Sequence, residues 1–400
     1  MGRGTGLDLE LCEWQERMKR ALLLVLSVIQ IVLAIRFFRR ALSTYQSSER
    51  IGTTADPPPQ ATVSVVIPVL NEVNRIGYCL ETLTSRDESI REILVVDGGS
   101  SDGTRDLVSR FSSTDDRIRL IEAPPRPVDW NGKAWGLHVG LEQSSDQSTY
   151  VVSIDADVMV DEDSIGQAVA FARSREIPFL SIANLQDAPS AGLSLVHPSL
   201  LSTLAYRFGM PGSVARTLDQ VQANGQFAVY QRAALKRVGG FTIARDSICE
   251  DVTLARHAFL SGYDVGFFPA DNSTSTLMHP SMMECVRNWP RSLGLRDRFD
   301  RTSGNRALFE MFFLQVLPLL SLLDCRSSHS SAMFRGVNRI LIASRIGILI
   351  GTRPSYSRVS WTYWLSPLAD PLSFVAIAVN LVRRKHEWRG QQMVEQEIDR

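Results

Sequence analysis

Asp155-Ala156-Asp157 is the segment whose residue types and spacing best suit chemistry. The two carboxylates follow the apolar run Tyr150-Val151-Val152-Ser153-Ile154, where a buried strand meets a loop. Oxygen ligands of this kind suit Mg²⁺ or Mn²⁺, ions that keep several waters and bridge to phosphate oxygens. Taken alone, the pair also reads as an ordinary turn former. A second acidic pair, Glu250-Asp251, follows Cys249 and opens a helix-like segment. Acids at a helix start are favoured by the helix dipole, and an acid in a site can serve as a general base. Lys133 follows Asn131-Gly132, and glycine lets backbone approach a ligand closely. The phosphate loop Gly-x-x-x-x-Gly-Lys-Ser/Thr is absent, so an ATPase signature is not the reading.

These residues need elements to position them. Val63-Ser64-Val65-Val66-Ile67-Pro68 is a β-branched run stopped by proline, then Val69-Leu70-Asn71-Glu72. Such a run predicts a buried strand leading into a loop. Glu92 to Val96 predicts another, ending in Asp97-Gly98-Gly99-Ser100-Ser101-Asp102-Gly103-Thr104. Between them Ile76, Cys79, Leu80 and Leu83 recur at helical spacing. A helix is expected over Thr104 to Phe111, with Asp102 and Thr104 as its capping residues. Ser164 to Arg175 is a further helix, opened by Asp161-Glu162-Asp163, and Phe179 to Ile182 a further strand. Strand, helix, strand with acidic loops is a nucleotide-binding α/β pattern, in which ligands bind beyond the carboxyl ends of the strands.

The motifs stand in order over residues 62–295: Ile67-Pro68 with Asn71-Glu72, the Asp97 loop, Asp155/Asp157, and Cys249-Glu250-Asp251. Together they resemble the GT-A-fold glycosyltransferases of the large inverting family 2, which includes cellulose synthase and dolichol-phosphate mannose synthase. Trp130-Asn131-Gly132-Lys133-Ala134-Trp135 and Trp388-Arg389-Gly390 narrow the resemblance. They look like the membrane-bound enzymes that glycosylate carotenoids and hopanoid-type lipids, among them the carotenoid 2′-O-glycosyltransferases.

The resemblance implies a GT-A nucleotide-diphospho-sugar transferase fold with a Rossmann-like mixed sheet. It implies a nucleotide-sugar donor, a UDP-sugar in preference, held by Pro68, Glu72, Asp97, Lys133 and Asp155. Asp97 stands where family members hold uracil or ribose, and Glu72 stands near the base. Asp155 and Asp157 would hold Mg²⁺ or Mn²⁺, the second aspartate directly. His279 lies near where some GT-A enzymes place a third metal ligand, although a lone histidine is also commonly structural. Asp251 would be the catalytic base and Glu250 would hold the site or the acceptor. Asn224-Gly225-Gln226-Phe227-Ala228 resembles the acceptor-side strand, which puts Gln226 at the acceptor. Trp130 and Trp135 either pack the domain or stack on a ligand.

Two departures from the family matter. Its common form has two adjacent acids where this chain has Asp97-Gly98, which removes one polar contact. Processive members carry Gln/Arg-x-x-Arg-Trp to hold a growing polymer. Here Arg287-Asn288-Trp289-Pro290-Arg291 reverses the order and inserts proline. That fits transfer of one sugar to a small acceptor. Arg287, Trp289 and Arg291 would contact acceptor or phosphate, or anchor the domain at headgroups.

Composition bounds the rest. Forty-three basic and 43 acidic side chains leave no net charge, and so no electrostatic case for nucleic acid. Five scattered cysteines, at 12, 79, 249, 285 and 325, lack zinc or redox spacing and fit a reducing compartment. Ala21 to Ile35 is apolar apart from Ser27 and Gln30, and with Phe37 and Phe38 approaches the roughly 20 residues of a membrane span. No small-residue cleavage site follows, so it reads as a retained anchor. Arg36, Arg39 and Arg40 place the following domain in the cytoplasm, against Lys19 and Arg20 at the other end. Ala307 to Leu323 and Tyr363 to Val382 read as two further spans. Val337 to Gly351, with Arg339 and Arg345, reads as an interfacial segment. Glu310 and Asp370 face a lipid path or sit at helix ends near water.

The expected organisation is an anchor over 1–45, a proline-rich linker over 46–61, a catalytic domain over 62–300 and a membrane-associated region over 301–400. The expected protein is a multi-pass enzyme of the cell (inner) membrane. It transfers one sugar to a hydroxyl of a lipid or carotenoid acceptor. A processive polysaccharide synthase and a non-catalytic membrane scaffold are the alternatives. A nucleotidyltransferase is disfavoured, because Pro68 to Arg75 offers no glycine- and arginine-rich triphosphate loop.

Overall fold

The computed structural model describes residues 5–46, 48–52, 62–84, 87–270, 274–276, 279–293, 303–323, 332–383, 387–388 and 391–392. Most of the expected linker, Arg384, Lys385, Arg389 and Gly390 lie outside the described residues.

Helix α1 (Thr5–Gln46) runs unbroken, because no proline or glycine interrupts its apolar stretch after Gly6. Its Glu13–Thr44 segment is long and apolar enough to cross a membrane. Leu22, Val25, Val28, Val32 and Ile35 face outward, while Leu33 and Phe37 pack on Tyr206, Phe313 and Leu341. The two polar residues of the expected span turn inward. Ser27 Oγ donates to the Leu23 carbonyl (2.7 Å), and Gln30 Nε2 donates to Asn338 Oδ1 (2.8 Å) and the Phe313 carbonyl (3.0 Å).

From Val63 the chain alternates β1 (Val63–Val69), α2 (Ile76–Leu83), β2 (Ile90–Asp97), α3 (Thr104–Ser112), β3 (Ile118–Glu122), α4 (Gly132–Gln143) and β4 (Tyr150–Ile154). There follow β5 (Val158–Val160), α5 (Ser164–Ser174), β6 (Phe179–Ala183), β7 (Leu185–Ala188), α6 (Ala191–Phe208), β8 (Ser213–Val214) and β9 (Phe227–Gln231). Next come α7 (Arg232–Arg237), α8 (Glu250–Leu260), β10 (Val265–Pro269), β11 (Thr274–Thr276) and α9 (Met282–Asn288). Eight strands form one sheet in the order β3-β2-β1-β4-β9-β6-β10-β8. β1 runs parallel to both β2 and β4, whereas β9 runs antiparallel to β4 and β6. This is the mixed sheet of a GT-A fold.

Every residue of β1 is buried, as both faces are covered. Val63, Val65 and Ile67 join α2 and α5 in one core, and Val66 joins α4 and α8 in the other. Helix α4 approaches β1 closely through Gly136 and Gly140. A Cβ on Gly136 would stand 2.8 Å from Pro68 Cβ, and one on Gly140 would run into the Val66 side chain.

The last hundred residues hold α10 (Pro290–Leu293), α11 (Ser303–Met311), a wider π-type stretch at Phe312–Val316, α12 (Leu317–Ser321), α13 (Ala332–Thr352), β12 (Tyr356–Val359) and α14 (Asp370–Val382). β12 pairs with β7 in a small second sheet, tying this region to the α/β domain. By length and composition, the second helix able to cross a membrane is Trp361–Val382, which begins with nine residues of 3-10 helix. The expected span over Ala307 to Leu323 is divided among α11, the π stretch and α12. The expected interfacial segment belongs to α13, which buries Arg345 rather than presenting it to headgroups. Arg345 Nε donates to Asp370 Oδ2 (2.9 Å) and Nη2 to Oδ1 (3.0 Å), while Ser199 Oγ donates to Oδ1 (2.7 Å). Asp370 is thus an internal ion-pair partner and faces no lipid path. Glu310 is likewise buried, 3.9 Å from Arg36 Nη2.

Gly140→Ala adds a methyl group where α4 meets Val66. It should destabilise the fold by about 1–3 kcal/mol, read as a lower denaturation midpoint of the full chain in detergent. A midpoint within error of the parent would mean that α4 does not sit this close to β1.

Candidate functional site

A cavity of about 410 Å³ opens at the carboxyl ends of β1 and β4, within the range of small-molecule sites. Pro68 of β1, Asp155 and Asp157 after β4, Lys133 in the first turn of α4, Gln226 before β9, and Glu250 and Asp251 opening α8 all border it.

Lys133 joins these segments. Its ammonium lies 2.8 Å from Asp155 Oδ1, 2.9 Å from Glu250 Oε1 and 3.2 Å from the Gly225 carbonyl. Burial alone would push its pKa down, but Asp155, Glu250 and Asp251 outweigh that and hold it well above the usual lysine value. Gly225 N–H donates to Asp251 Oδ2 (2.6 Å) and Val252 N–H to Oδ1 (2.8 Å), which fixes the carboxylate. Burial and then Glu250 raise the Asp251 pKa to about 6, against Lys133. Burial also raises Asp155, opposed by Lys133.

Asp157 is different. Burial and the Asp155 charge push it up to about 7, and its Oδ1 is buried with no hydrogen-bond partner. Glu72, also bordering the cavity, rises to about 7 through burial despite Arg75 Nη1 at 3.3 Å. An acid that is buried, partnerless and close to a second acid suits a cation.

His279, Trp289 and Arg291 border the same cavity. Burial, with Arg75 and Arg291, lowers His279 to about 4, so the imidazole is neutral at pH 7, and its Nε2 has no partner. Among the described residues no three His, Cys, Asp or Glu side chains are arranged to hold a metal, so His279 is not gathered with both aspartates. Trp289 is buried and stacks on His197, ring centroids 4.3 Å apart. His197 Nδ1 in turn hydrogen-bonds the Tyr356 hydroxyl at 2.8 Å. Arg287 is exposed and does not border the cavity. Gln226 is buried: its Oε1 accepts from Asn224 Nδ2 (3.0 Å) and its Nε2 donates to Thr276 Oγ1 (3.4 Å).

Asp97 does not border the cavity either. Its carboxylate accepts from the Gly99 and Ser100 N–H groups (3.1 Å) and from Arg105 Nε (2.5 Å). Gly103, not Asp102 or Thr104, is the N-cap of α3 and has no side-chain cap; Asp102 Oδ1 accepts from Thr104 N–H (3.0 Å), and both residues serve the loops. Asp102 Oδ2 accepts from Val73 N–H and Thr104 Oγ1 from Glu72 N–H, locking the loop after β1 to the loop after β2. Asn71 completes the lock with a left-handed backbone (φ 55°), its Oδ1 accepting from Ser101 N–H.

Arg75 and the apolar wall from α6 escape sequence reasoning. Arg75 had one available signal, its spacing three after Glu72. Leu201, Leu204 and Phe208 of α6, with Met210 and Leu293, also line the cavity, and Phe208 packs on Cys249 and Val252, which flank the acidic pair. Nothing local in α6 marks that face, since its other sides are buried too.

The mixed sheet, with acids gathered at its carboxyl edge, defines a GT-A-type fold. Residues 64–239 match the family model described as glycosyl transferase family 2. Poly-beta-1,6-N-acetyl-D-glucosamine synthases of Staphylococcus epidermidis and of Staphylococcus aureus (strain MSSA476) are each 24% identical over 220 residues, 52% of this chain and 48% of theirs. The chain thus spans about half the length of the curated relatives it matches. Among solved structures, mannosyltransferase PcManGT from Pyrobaculum calidifontis, in complex with GDP-Man and Mn²⁺, shares the fold. It has a TM-score of 0.51 and 19% identity, covering 90% of this chain and 99% of that one.

Lys133→Met strands three acids without their cation. Breaking such a partly buried cluster should cost about 3–5 kcal/mol, measured by chemical unfolding of the full chain at pH 8. Lowering the pH to 5.5 should recover part of the loss, because protonated acids no longer repel. Equal stability of variant and parent at both pH values would dismiss the cluster as an organising element.

Proposed function

We propose that this protein is a membrane-anchored, inverting glycosyltransferase. It moves one sugar from a nucleoside diphosphate sugar, a UDP-sugar in preference, to a hydroxyl of an apolar acceptor such as a carotenoid or other lipid. One observation carries the reading: a single cavity is bordered both by the Lys133–Asp155–Glu250–Asp251 cluster and by the apolar side chains of Leu201, Leu204, Phe208 and Met210. Charged donor and apolar acceptor would meet within it. Helix α1 supports the membrane anchor, and Arg36, Arg39 and Arg40 support a cytoplasmic catalytic domain at the inner membrane.

Asp251 is the base. With a pKa of about 6 it is ionised at neutral pH yet basic enough to take a proton. It removes the acceptor hydroxyl proton as that oxygen bonds to the anomeric carbon and the bond from that carbon to the diphosphate breaks. One displacement inverts the anomeric centre. Gly225 and Val252 N–H groups keep the carboxylate in place during the transfer. Lys133 shifts from the acids toward the diphosphate as charge gathers there. Asp155 and Asp157 would hold Mg²⁺ or Mn²⁺, to which the partnerless Asp157 oxygen is suited. Such an ion supplies Lewis-acid neutralisation of the leaving diphosphate. Pro68 and Glu72 line the donor end.

Polysaccharide synthesis is the second reading, favoured by the names of the relatives. The order Arg287-Asn288-Trp289-Pro290-Arg291 and the outward position of Arg287 stand against it.

The test supplies labelled nucleotide sugars, Mn²⁺ or Mg²⁺, and carotenoid or polyprenol acceptors to membranes carrying the full chain. Label should enter the organic-soluble product. Asp251→Asn should lower kcat by about 10²–10⁴-fold, and parent kcat should fall about tenfold per pH unit below pH 6, as Asp251 protonates. Label in a long water-soluble polymer would establish the second reading instead. Full activity of Asp251→Asn would remove the base.

A further inference from the structure

We propose that Met282, Met283, Trp361, Trp364 and Leu368 form a rim that docks on the surface of a phospholipid bilayer, so that the cavity opens at the headgroup layer. This rests on the membrane reading above and deepens it by naming the docking face.

The 3-10 segment Trp361–Ala369 has two faces. Tyr363, Ser366, Pro367 and Ala369 are buried, whereas Trp361 is 73%, Trp364 48% and Leu368 67% exposed. Two tryptophans and a leucine held outward in one short segment form a patch that water disfavours and a partner surface would cover. Its position fixes which partner. Val359 ends β12 and pairs with Ala188 in the small sheet of the α/β domain. Trp361 follows two residues later, at most about 7 Å along the chain. The tryptophans therefore stand at the edge of the α/β domain and cannot lie deep in hydrocarbon. On the other side, α14 begins at Asp370 and carries exposed Leu372, Val375, Val379 and Val382 onward. The apolar face thus continues from the rim into α14, and the two together, Trp361–Val382, have membrane-spanning length and composition, with the tryptophans at one end. Tryptophan at such a junction is the residue type that settles at headgroup level.

Helix α9 meets the same edge. Thr362 Oγ1 donates to the Ala191 carbonyl and Ser360 N–H to Ser194 Oγ, pinning the 3-10 segment to the start of α6. Gly192, beside Ala191, packs on Met282, where an added Cβ would stand 3.0 Å from Met282 Cβ. Met283 is 69% exposed, while Glu284 and Asn288 of the same helix border the cavity. Thr352 and Ser355, just before β12, border it as well. Helix α9 thus both walls the cavity and carries Met282 and Met283, and the 3-10 segment is pinned to α6, which also walls it.

Tryptophan quenching tests this with the full chain in bilayers containing lipids brominated near the headgroup or near the chain end. The emission difference between parent and Trp361→Phe/Trp364→Phe reports these two rings alone. That difference should be quenched by shallow bromines more strongly than by deep ones, and the double variant should lose the corresponding quenching. Stronger quenching by deep bromines would mean that the segment threads the bilayer, and no quenching by either that it faces water. Both results overturn the proposal. The measurement needs no sugar transfer. A chain that docks but transfers nothing refutes the functional reading alone, and an active chain with unquenched rings refutes only the docking face.

Discussion

The Lys133 ammonium is the interaction on which the site depends. It gathers Asp155 from the end of β4, Glu250 from the start of α8 and the Gly225 carbonyl from the approach to β9. These segments are far apart in sequence, and two of them bring negative charge into a partly buried space. Without a cation between them the acids would repel, protonate or draw water in. The cluster also explains the glycines of α4. Lys133 reaches the acids because the helix that carries it lies against β1 at Gly136 and Gly140, with no Cβ to hold it off.

The cluster is satisfied only in part, and the remainder is informative. Asp251 is fixed by two backbone N–H groups and retains its charge near neutrality. Asp157 has no such partners on its buried oxygen, and its proton leaves only near pH 7. Two aspartates in one cavity therefore stand in different surroundings, one held by backbone donors and one with a buried oxygen that has no partner. Burial and neighbours separate such paired carboxylates.

Strands and helices that answer to local pattern were legible in the sequence. The run Val63 to Pro68 is buried at every position, and Ile76, Cys79, Leu80 and Leu83 form the buried face of α2. The acids at strand ends and at the start of α8 meet in one cavity because a parallel-rich sheet brings carboxyl ends to one edge. Long-range electrostatics was not legible. Asp97 turns to Arg105 and its own loop, a choice made by a cation eight residues away. His279 borders the cavity, where burial, with Arg75 and Arg291, depresses its pKa, and among the described residues it belongs to no set of three ligands. Arg345 reads as a headgroup contact until Asp370 is seen opposite it. In each case the partner, remote or local, decides the role, and no periodicity reports it.

The same logic separates a buried apolar helix from one that meets lipid. Composition alone cannot distinguish them, since both are rich in leucine and valine. Polar residues settle the inward side here: Gln30 of α1 pairs with Asn338 of α13, and Arg345 of α13 with Asp370 of α14, while Ser27 is buried and bonds back to its own helix. These helices direct their polar side chains inward and leave valines, isoleucines and leucines outward. The cavity lies against this bundle through α6, whose Leu201 and Leu204 line it while Ser199 anchors Asp370. One helix, α6, therefore both lines the cavity and is tied to the apolar bundle.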